Sequence, residues 1–576
     1  MRDFGARIAR RKPGETGGAF NGSLAAGATA ALGTMPVSNT TMTAGQAIVD
    51  GLVRNGVERI FGIPGVHTYA LFDALYARRN EIRFIGTRHE QGAAYMAYGY
   101  AKSSGRMGVY TCVPGPGVLN TTAALCTAYA GNAPVLCVTS EIPAAEIGQG
   151  HGILHELPDQ LGTLRTLVKW AGRIDHPAAA PRIVNHAVNR MRSGRQGPAA
   201  IECPWDTLGQ AAPVVPLPPA APDEPPEPDP ALVAKAAELI AAARNPMIML
   251  GSGATEAGTE VMALAERLQA PVTAHRSGRG IVGEDTALGL NLAAAYEPWL
   301  RCDVLIAIGT RMELQYLRWR KFPQGLKIVR IDIDPREMVR RKADVGIVAD
   351  ARRGTEALLE ALAPRLGARP SRAAEFAACK DAARRKYAAV QPQVGYLDVI
   401  RELLPRDGFL VEEICQVGFA ARYAFPVYEP RTYVSCGYQD NLGFGFMTAL
   451  GVKVAHPDRA VISINGDGGF MYGVQELATA VQHKINVTAI VFNNRSFANV
   501  MRDQSATGRP IGDRLTNPDF TALARSFGAA AFTVASPQEL HPALARALAA
   551  DAPALIEVLV EPGTEASPWP FLHPWA

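Results

Sequence analysis

The sequence lacks several features that mark other classes of protein. Its 576 residues contain no uninterrupted apolar run near the length of a transmembrane helix, which needs about 20 residues. The formal net charge is only +4, too small over this length to predict a nucleic-acid partner. A content of 48% hydrophobic and 19% charged residues excludes a disordered or collagen-like chain. We therefore predict a globular protein that acts on a small-molecule substrate, without nucleic-acid or membrane partners.

Cysteine is scarce, and the close pairs that are typical of zinc sites are missing. The eight cysteines lie mostly within apolar runs, at Cys112, Cys126, Cys137, Cys203, Cys302, Cys379, Cys415 and Cys436. This distribution fits buried free thiols in a reducing compartment, so we predict a cytoplasmic protein without a zinc site.

The first 41 residues differ in composition from the rest of the chain. They are rich in Gly, Ala, Ser and Thr after a basic opening, and we predict a disordered extension over residues 1–41. Arg10 and Arg11 precede the weakly apolar stretch SLAAGATAALG, so a twin-arginine export signal is the alternative. Pro13 and Glu15 fit such a signal poorly.

Beyond the extension, apolar strand-like runs alternate with small-residue helical segments in three successive stretches. This alternation predicts an α/β fold of three consecutive doubly wound parallel-sheet domains. The stretch AAPVVPLPPAAPDEPPEPDP cannot sustain a helix or a central strand and predicts a linker. The predicted segments are an N-terminal domain (42–206), a proline-rich linker (207–230), a central Rossmann-like domain (231–366), a helical linker (367–395), a C-terminal domain (396–561) and a tail (562–576).

The stretch NGDGGFMYGVQELATAVQHKINVTAIVFNN in the third domain predicts a metal and phosphate site. A buried strand leads into a glycine-rich turn around Asp467, and the next strand ends before Asn494. Parallel strands present their carboxyl ends at one edge, so we expect these two side chains to meet. Their oxygens, with the Ser496 carbonyl, suit Mg²⁺ bound beside phosphates, and the amides of Gly468 and Gly469 complete the cradle. An ordinary turn and an ordinary asparagine loop are the alternative.

A second candidate site lies in the first domain, where FIGTRHEQGAAYMAYGYAK places Glu90 at the start of a helix. Favourable placement in the helix dipole would by itself explain a carboxylate there. The surrounding motifs FGIPG, RHEQGAAYMAYGYA and PGPGVLN, with the Gly-Asp-Gly to Asn-Asn unit, resemble the acetolactate synthase-like branch of the thiamine diphosphate enzymes. The resemblance covers nearly all of the chain after the extension.

This resemblance implies thiamine diphosphate and Mg²⁺ as cofactors, with a pyrimidine-binding first domain and a diphosphate-binding third domain. It implies that Glu90 activates the cofactor and that Leu442 wedges between its rings. It also implies a cofactor-binding surface that comprises Pro116, Gly117, Asn120, Gln416, Gly466, Gly468 and Gly469. Glu413 lies in the same cofactor-edge segment as Gln416.

The central domain leaves the question of a nucleotide open. The stretch GSGATEAG has Glu256 where a dinucleotide fingerprint has its third glycine, which weakens a nicotinamide site. Arg311, in IGTR, matches a position that contacts FAD or an adenine nucleotide in some relatives. FAD is therefore one alternative, and a purely structural central domain is the other.

The sequence departs from acetolactate synthases near the predicted substrate. Asp503 stands where those enzymes carry a tryptophan, and ILHELPD, with His155 and Glu156, replaces a Phe-Gln-Glu stretch. His67 and His155 are candidate catalytic residues that contact substrate, with structural histidines as the alternative, and His89 supports Glu90.

The resemblance implies a lyase or carboligase that decarboxylates a 2-oxo acid, with transfer of the acyl unit to an acceptor as a further step. One alternative is cleavage of an acyl-CoA or a sulfonate with the same cofactor; another is a catalytically silent nucleotide-binding protein. The resemblance also implies active sites shared between the first domain of one subunit and the third domain of its partner. A homodimer is then the minimum assembly, and a homotetramer is expected.

Overall fold

The computed structural model describes residues 40–574. Within that range lie three six-stranded sheets, each entirely parallel and each in its own α/β domain. The inner strands of each sheet are almost completely buried apolar runs, as expected where helices cover both faces of a parallel sheet, whereas several edge strands are only partly buried. The predicted fold class is confirmed.

The N-terminal domain has its parallel strands in the spatial order β3-β2-β4-β5-β7-β6, with β1 and β8 forming a separate pair. Its strands are β1 (Thr40–Thr43), β2 (Arg59–Gly62), β3 (Arg83–Gly86), β4 (Gly108–Cys112), β5 (Val135–Glu141), β6 (Trp170–Arg173), β7 (Ala199–Pro204) and β8 (Ala211–Val214). Its helices are α1 (Ala44–Arg54), α2 (Tyr69–Ala77), α3 (Glu90–Ser104), α4 (Pro116–Asn120), α5 (Thr122–Ala130), α6 (Gln160–Leu167), α7 (Ala180–Arg192) and α8 (Trp205–Gly209).

The segment predicted as a proline-rich linker begins with regular structure that the proline pattern did not indicate. Strand β8 pairs antiparallel with β1, with Thr40 opposite Val214. The pairing tolerates Pro213 because a two-stranded pair leaves one side of each strand free of ladder hydrogen bonds. The predicted extension of residues 1–41 lies outside the described residues except for the start of β1.

The central domain has the strand order β11-β10-β9-β12-β13-β14. Its strands are β9 (Pro246–Leu250), β10 (Val272–Ala274), β11 (Gly289–Leu290), β12 (Val304–Ile308), β13 (Lys327–Asp332) and β14 (Val345–Val348). Its helices are α9 (Pro230–Ala241), α10 (Gly258–Leu268), α11 (Leu292–Trp299), α12 (Arg336–Arg340) and α13 (Ala351–Leu362). Helix α14 (Ala373–Tyr387) forms most of the connection to the next domain.

The C-terminal domain has the strand order β16-β15-β17-β18-β20-β19. Its strands are β15 (Phe409–Val411), β16 (Tyr433–Val434), β17 (Val461–Gly466), β18 (Thr488–Asn493), β19 (Ala530–Val534) and β20 (Ala554–Leu559). Its helices are α15 (Gln393–Leu403), α16 (Gln416–Ala424), α17 (Gly445–Ala455), α18 (Asp467–Phe470), α19 (Glu476–His483), α20 (Ala498–Ser505), α21 (Phe520–Phe527), α22 (Pro537–Ala549) and, in the segment predicted as a tail, α23 (Trp569–Leu572). Among the described residues, no helix combines the length and the apolar character needed to span a membrane.

Helices α3 and α17 join the first and third domains through an unusually close contact. A Cβ added at Gly99 would lie 2.0 Å from the carbonyl oxygen of Thr448. One added at Gly451 would lie 1.9 Å from the carbonyl oxygen of Met96. The two backbones therefore approach at distances that only glycine permits.

Gly451→Ala should destabilise the protein by about 1–3 kcal/mol or more, because the added methyl group can be accommodated only by separating the helices. Gly209→Ala is the matched control, since its added Cβ meets no atom within 4 Å. Urea unfolding of both variants measures the difference. Equal stability of the two variants would contradict the close contact.

Candidate active site

A cavity in the C-terminal domain lies where β17 and β18 end. Gly466, the last residue of β17, pairs with Phe492 of β18 in a parallel register. Asp467 begins α18 and Asn494 follows β18, so the parallel pairing brings both to the same edge of the sheet. Asp467, Asn494 and Ser496 all line the cavity.

Hydrogen bonds hold the side chains of two of the three predicted metal ligands, Asp467 and Asn494. Asp467 is 2% exposed, and its Oδ2 accepts a hydrogen bond from Nδ2 of Asn517 at 2.7 Å. Burial raises the pKa of Asp467, and the bond from Asn517 opposes that shift. Asn494 donates from Nδ2 to Oε2 of Glu565 at 2.6 Å, while its Oδ1 accepts from the Ser496 amide at 3.1 Å. Such a carboxylate and amide oxygen set suits Mg²⁺.

Asn517 and Glu565 are site residues that the sequence analysis missed. Glu565 lies in the segment predicted as a tail, yet it lines the cavity. Burial raises the pKa of Glu565, and the negative charge of Asp467 adds to the rise. No local pattern marks either residue, because each reaches the site through a contact that spans 50 or 71 residues of chain.

Glycines form the wall of the cavity next to Asp467. A Cβ added at Gly468 would lie 2.4 Å from Cε1 of Phe497, so a side chain has no room there. The wall thus presents backbone, and backbone amides at such a turn suit phosphate oxygens. The donor set and this glycine wall together fit a diphosphate bound with Mg²⁺. The other predicted cofactor-binding residues that line the cavity are Gln416, Leu442, Gly466 and Gly469.

Glu413 lies buried beneath the glycine turn. Its Oε1 accepts a hydrogen bond from the Gly443 amide at 2.5 Å. Its Oε2 is buried without a hydrogen-bond partner among the described residues. A Cβ added at Gly469 would lie 2.0 Å from Oε1 of Glu413. Burial raises the pKa of Glu413 to about 8, so the carboxyl group is mostly protonated at neutral pH.

Glu90 and its neighbours form a second cluster in the N-terminal domain. Glu90 begins α3. The His89 side chain caps that helix, because its Nδ1 accepts a hydrogen bond from the Gln91 amide at 3.1 Å. Oε2 of Glu90 accepts from Nδ2 of Asn120 at 3.0 Å. Asn120 ends the short helix α4, which starts with Pro116 and Gly117. The motif PGPGVLN therefore supplies a direct partner for the Glu90 carboxylate.

The structure also brings His67 and His155 together. Their Nδ1 atoms lie 3.1 Å apart, and the His67 ring packs edge-on against Trp205. His67 is 2% exposed, and burial, with the nearby His155, lowers its pKa. His155 has φ +70° and packs against Gly115, where an added Cβ would lie 2.3 Å from the His155 carbonyl oxygen. The histidine pair thus adjoins the PGPGVLN loop.

Two other residues that distinguish this sequence have structural contacts of their own. Glu156 accepts hydrogen bonds from the amides of Gly150 and Gly152 at 3.0 and 2.7 Å, so it stabilises its own loop. Asp503 is exposed and pairs with the adjacent Arg502 at 2.8 Å.

The two halves of the predicted cofactor site do not share one cavity within the chain. All described residues that line the Asp467 cavity lie between Ile414 and Glu565, so Glu90 and Asn120 are not among them. Large exposed apolar side chains neighbour both halves in sequence, at Val66, Leu119 and Leu154 in the N-terminal domain and at Met471, Tyr472 and Val500 in the C-terminal domain.

In the central domain, Arg311 follows β12 beside the point where the strand order reverses, between β9 and β12. Its guanidinium lies 4.7 Å from the Tyr438 ring centroid, and its Nε is buried without a partner among the described residues. Arg195 pairs with Asp332 at the end of β13, at 3.4 Å. Arg195 also pairs with Asp334 and Glu337 at 3.3 and 3.0 Å, so carboxylates of the chain already balance its charge.

Glu413→Gln should remove a pH-dependent loss of stability. The folded protein holds a proton on Glu413 up to about pH 8, whereas an unfolded glutamate loses it near pH 4.3. Wild-type stability should therefore fall, relative to the variant, as pH rises between those values, on the order of 1 kcal/mol for each pH unit. Unfolding by urea at several pH values measures this, with Glu238→Gln, at an exposed position, as the control. A parallel pH dependence of wild type and variant would contradict a buried, protonated Glu413.

Three segments of the chain match domains of one enzyme family. They are the thiamine pyrophosphate enzyme N-terminal TPP binding domain (residues 42–163), the central domain (233–362) and the C-terminal TPP binding domain (413–558). Thiamine pyrophosphate is the compound called thiamine diphosphate above.

Comparison with similar whole sequences gives the same result. A probable 2-ketoarginine decarboxylase of Pseudomonas aeruginosa is 35% identical over 87% of this chain and 90% of its own length. A probable acetolactate synthase large subunit of Methanocaldococcus jannaschii is 33% identical over 92% of this chain and 93% of its own length. The large subunit of acetolactate synthase isozyme 3 of Escherichia coli is 28% identical over 88% of this chain and 92% of its own. The chain belongs to the thiamine pyrophosphate enzymes, in the acetolactate synthase-like branch.

Proposed function

We propose that the protein decarboxylates a 2-oxo acid with thiamine diphosphate and Mg²⁺, and that the acyl unit is then protonated or transferred to an acceptor. The observation that carries the proposal is the convergence of Asp467, Asn494 and Ser496 on one glycine-walled cavity. The similar Pseudomonas protein is named for decarboxylating a 2-keto acid, which supports this substrate class.

The diphosphate and Mg²⁺ would be held by the C-terminal domain. Asp467, the Asn494 amide oxygen and the Ser496 carbonyl are the proposed Mg²⁺ ligands. The amides of Gly468 and Gly469 and the Gln416 side chain would bind phosphate oxygens. When bound, thiamine diphosphate supplies an acidic carbon and an electron sink.

Glu90 is the proposed proton-holding group of the site. Its carboxylate would bond a ring nitrogen of the aminopyrimidine, and Asn120 keeps that carboxylate in place through the bond to Oε2. Leu442 would support the cofactor's bent conformation as an apolar contact. In this arrangement the two domains have separate tasks, since one anchors the cofactor and the other activates it.

We propose that His67 and His155 act on the substrate side of the site. The short Nδ1 to Nδ1 distance requires at least one ring to be neutral there, because two Nδ1–H groups would repel. Histidine is the side chain that most often transfers a proton in enzymes, and protonation of an acyl unit after loss of carbon dioxide requires such a group.

Two alternatives keep the same fold. Cleavage of an acyl-CoA or a sulfonate would use the same cofactor with another leaving group, and a silent nucleotide-binding protein would use only the central domain. FAD in the central domain remains a prediction that the visible absorbance of the purified protein tests. An intact Glu90–Asn120 pair argues against the silent alternative.

The function is tested with a panel of 2-oxo acids, including 2-ketoarginine and pyruvate, together with an acyl-CoA and a sulfonated donor. We expect carbon dioxide release from at least one 2-oxo acid. Glu90→Gln should lose activity while it still binds cofactor, because it keeps a group of the same size and loses the carboxylate. Asp467→Ala should lose Mg²⁺-dependent cofactor binding. Turnover of only the acyl-CoA or the sulfonated donor would contradict the proposal.

The histidine pair is tested by His155→Asn. We expect steady-state turnover of the 2-oxo acid to slow by about 10²–10⁴-fold, the usual contribution of a positioned proton-transfer group, because each turnover requires protonation of the acyl unit after carbon dioxide is lost. Cofactor affinity should change little. His176→Asn is the control, because that histidine caps a different turn through the Ala178 amide. A rate equal to wild type would show that the pair is structural.

We propose, in addition, that each active site is built from two subunits. Glu90 and Asp467 line separate surfaces of one chain, and exposed apolar side chains neighbour both surfaces. Apposing the two surfaces in a two-fold dimer would bury these side chains and complete two equivalent sites. Pairing of dimers into a tetramer is proposed from the family resemblance alone.

Mixing Glu90→Gln with Asp467→Ala tests this assembly. Each mixed dimer would contain one site with both lesions and one intact site, so random exchange of equal amounts should restore about a quarter of wild-type activity. The size of the assembly is measured by sedimentation, and subunit exchange is verified with differently labelled chains. If exchange occurs and activity stays at zero, the shared site is wrong.

A further inference from the structure

The segment after β20, here called the C-terminal strap (residues 562–574), is fixed at the rim of the Asp467 cavity. The Ala566 amide donates to the Gln391 carbonyl at 3.0 Å, and the Ala566 carbonyl accepts from Nε2 of the buried Gln393 at 2.7 Å. Nε1 of Trp569 donates to Oδ1 of Asn499 at 2.8 Å. These bonds all follow Glu565 in the chain, and before it the Thr564 amide donates to the Glu561 carbonyl at 3.2 Å, so the backbone is held on both sides of Glu565.

The contact between Glu565 and Asn494 has a chemical consequence for the amide. A carboxylate can only accept hydrogen bonds, so the side of the Asn494 amide that faces Glu565 must be the NH₂ group. The oxygen then points to the opposite side, where it accepts from the Ser496 amide and hydroxyl at 3.1 Å each. Glu565 therefore determines that the oxygen of Asn494, and not its NH₂ group, lies on the side of Ser496, the neighbouring proposed ligand.

We propose that Glu565 is a positioning residue of the Mg²⁺ site, which acts by orienting the ligand oxygen of Asn494. The inference rests on the proposed function, which places Mg²⁺ at these two residues. The strap thereby becomes part of the cofactor site. Outer partners of metal ligands typically contribute about 10–100-fold to metal affinity, and we expect an effect of that size here.

The experiment measures Mn²⁺ binding to the full-length protein with saturating thiamine diphosphate, by the electron paramagnetic resonance of free Mn²⁺. Glu565→Ala should weaken Mn²⁺ binding by about 10–100-fold. Glu565→Gln should recover most of the affinity, because the glutamine oxygen can still accept from Asn494. Glu561→Ala is the matched control, since it removes the same charge from the exposed turn just before the strap.

A double-mutant cycle separates positioning from a general role in holding the strap. In an Asn494→Ala background, Glu565→Ala should cause no further loss of Mn²⁺ affinity, because the group it orients is gone. An equal loss in both backgrounds, or a Glu565→Ala affinity equal to wild type, would overturn the inference. Thermal unfolding of each variant in the absence of metal checks that the fold is retained.

Asp467→Ala distinguishes a failure of this inference from a failure of the proposed function. If Asp467→Ala abolishes Mn²⁺ binding while Glu565→Ala leaves it unchanged, the metal site stands and only the role of Glu565 is wrong. If Asp467→Ala binds Mn²⁺ as well as wild type does, the metal site itself is wrong.

Discussion

The close packing of α3 against α17 is the constraint on which the arrangement of the site depends. Because Gly99 and Gly451 have no side chains, the first and third domains meet backbone to backbone. Next to this contact, the buried carboxylate of Glu476 accepts hydrogen bonds from the amides of Arg88 and His89, at 3.0–3.1 Å, directly before Glu90. The third domain of a chain thus fixes the start of the helix that carries the proposed activating residue of the first domain.

The cost of burying carboxyl groups governs the Asp467 cavity in the third domain. Burial raises the pKa values of Asp467, Glu565 and Glu413, which means that each pays a desolvation cost when it is charged. A divalent cation would offset that cost for Asp467 and Glu565, whereas Glu413 is stable as a neutral acid beneath the turn. Two kinds of carboxyl environment therefore lie within one small region.

The proposed substrate side of the site is formed by histidines and not by buried carboxyl groups. His67 and His155 come from loops after different strands, and Glu156 stabilises one of those loops through backbone amides. These loops include the predicted departure from acetolactate synthases, ILHELPD, whereas the glycine turn around Asp467 matches the predicted cofactor motif. The proposed anchoring of the cofactor and the proposed contact with the substrate therefore rest on separate elements of the chain.

The sequence by itself determined the three α/β domains, the family and the strand-turn-helix unit around Asp467, because these depend on local periodicity and on residues adjacent in the chain. Only the tertiary structure decided the pairing of β1 with β8, the His67–His155 contact and the place of Glu565 in the cavity. The histidines are 88 residues apart, and Asn494 and Glu565 are 71 residues apart. Such contacts give no periodic pattern in the sequence, because the packing of whole domains fixes them and the conformation of either segment alone does not.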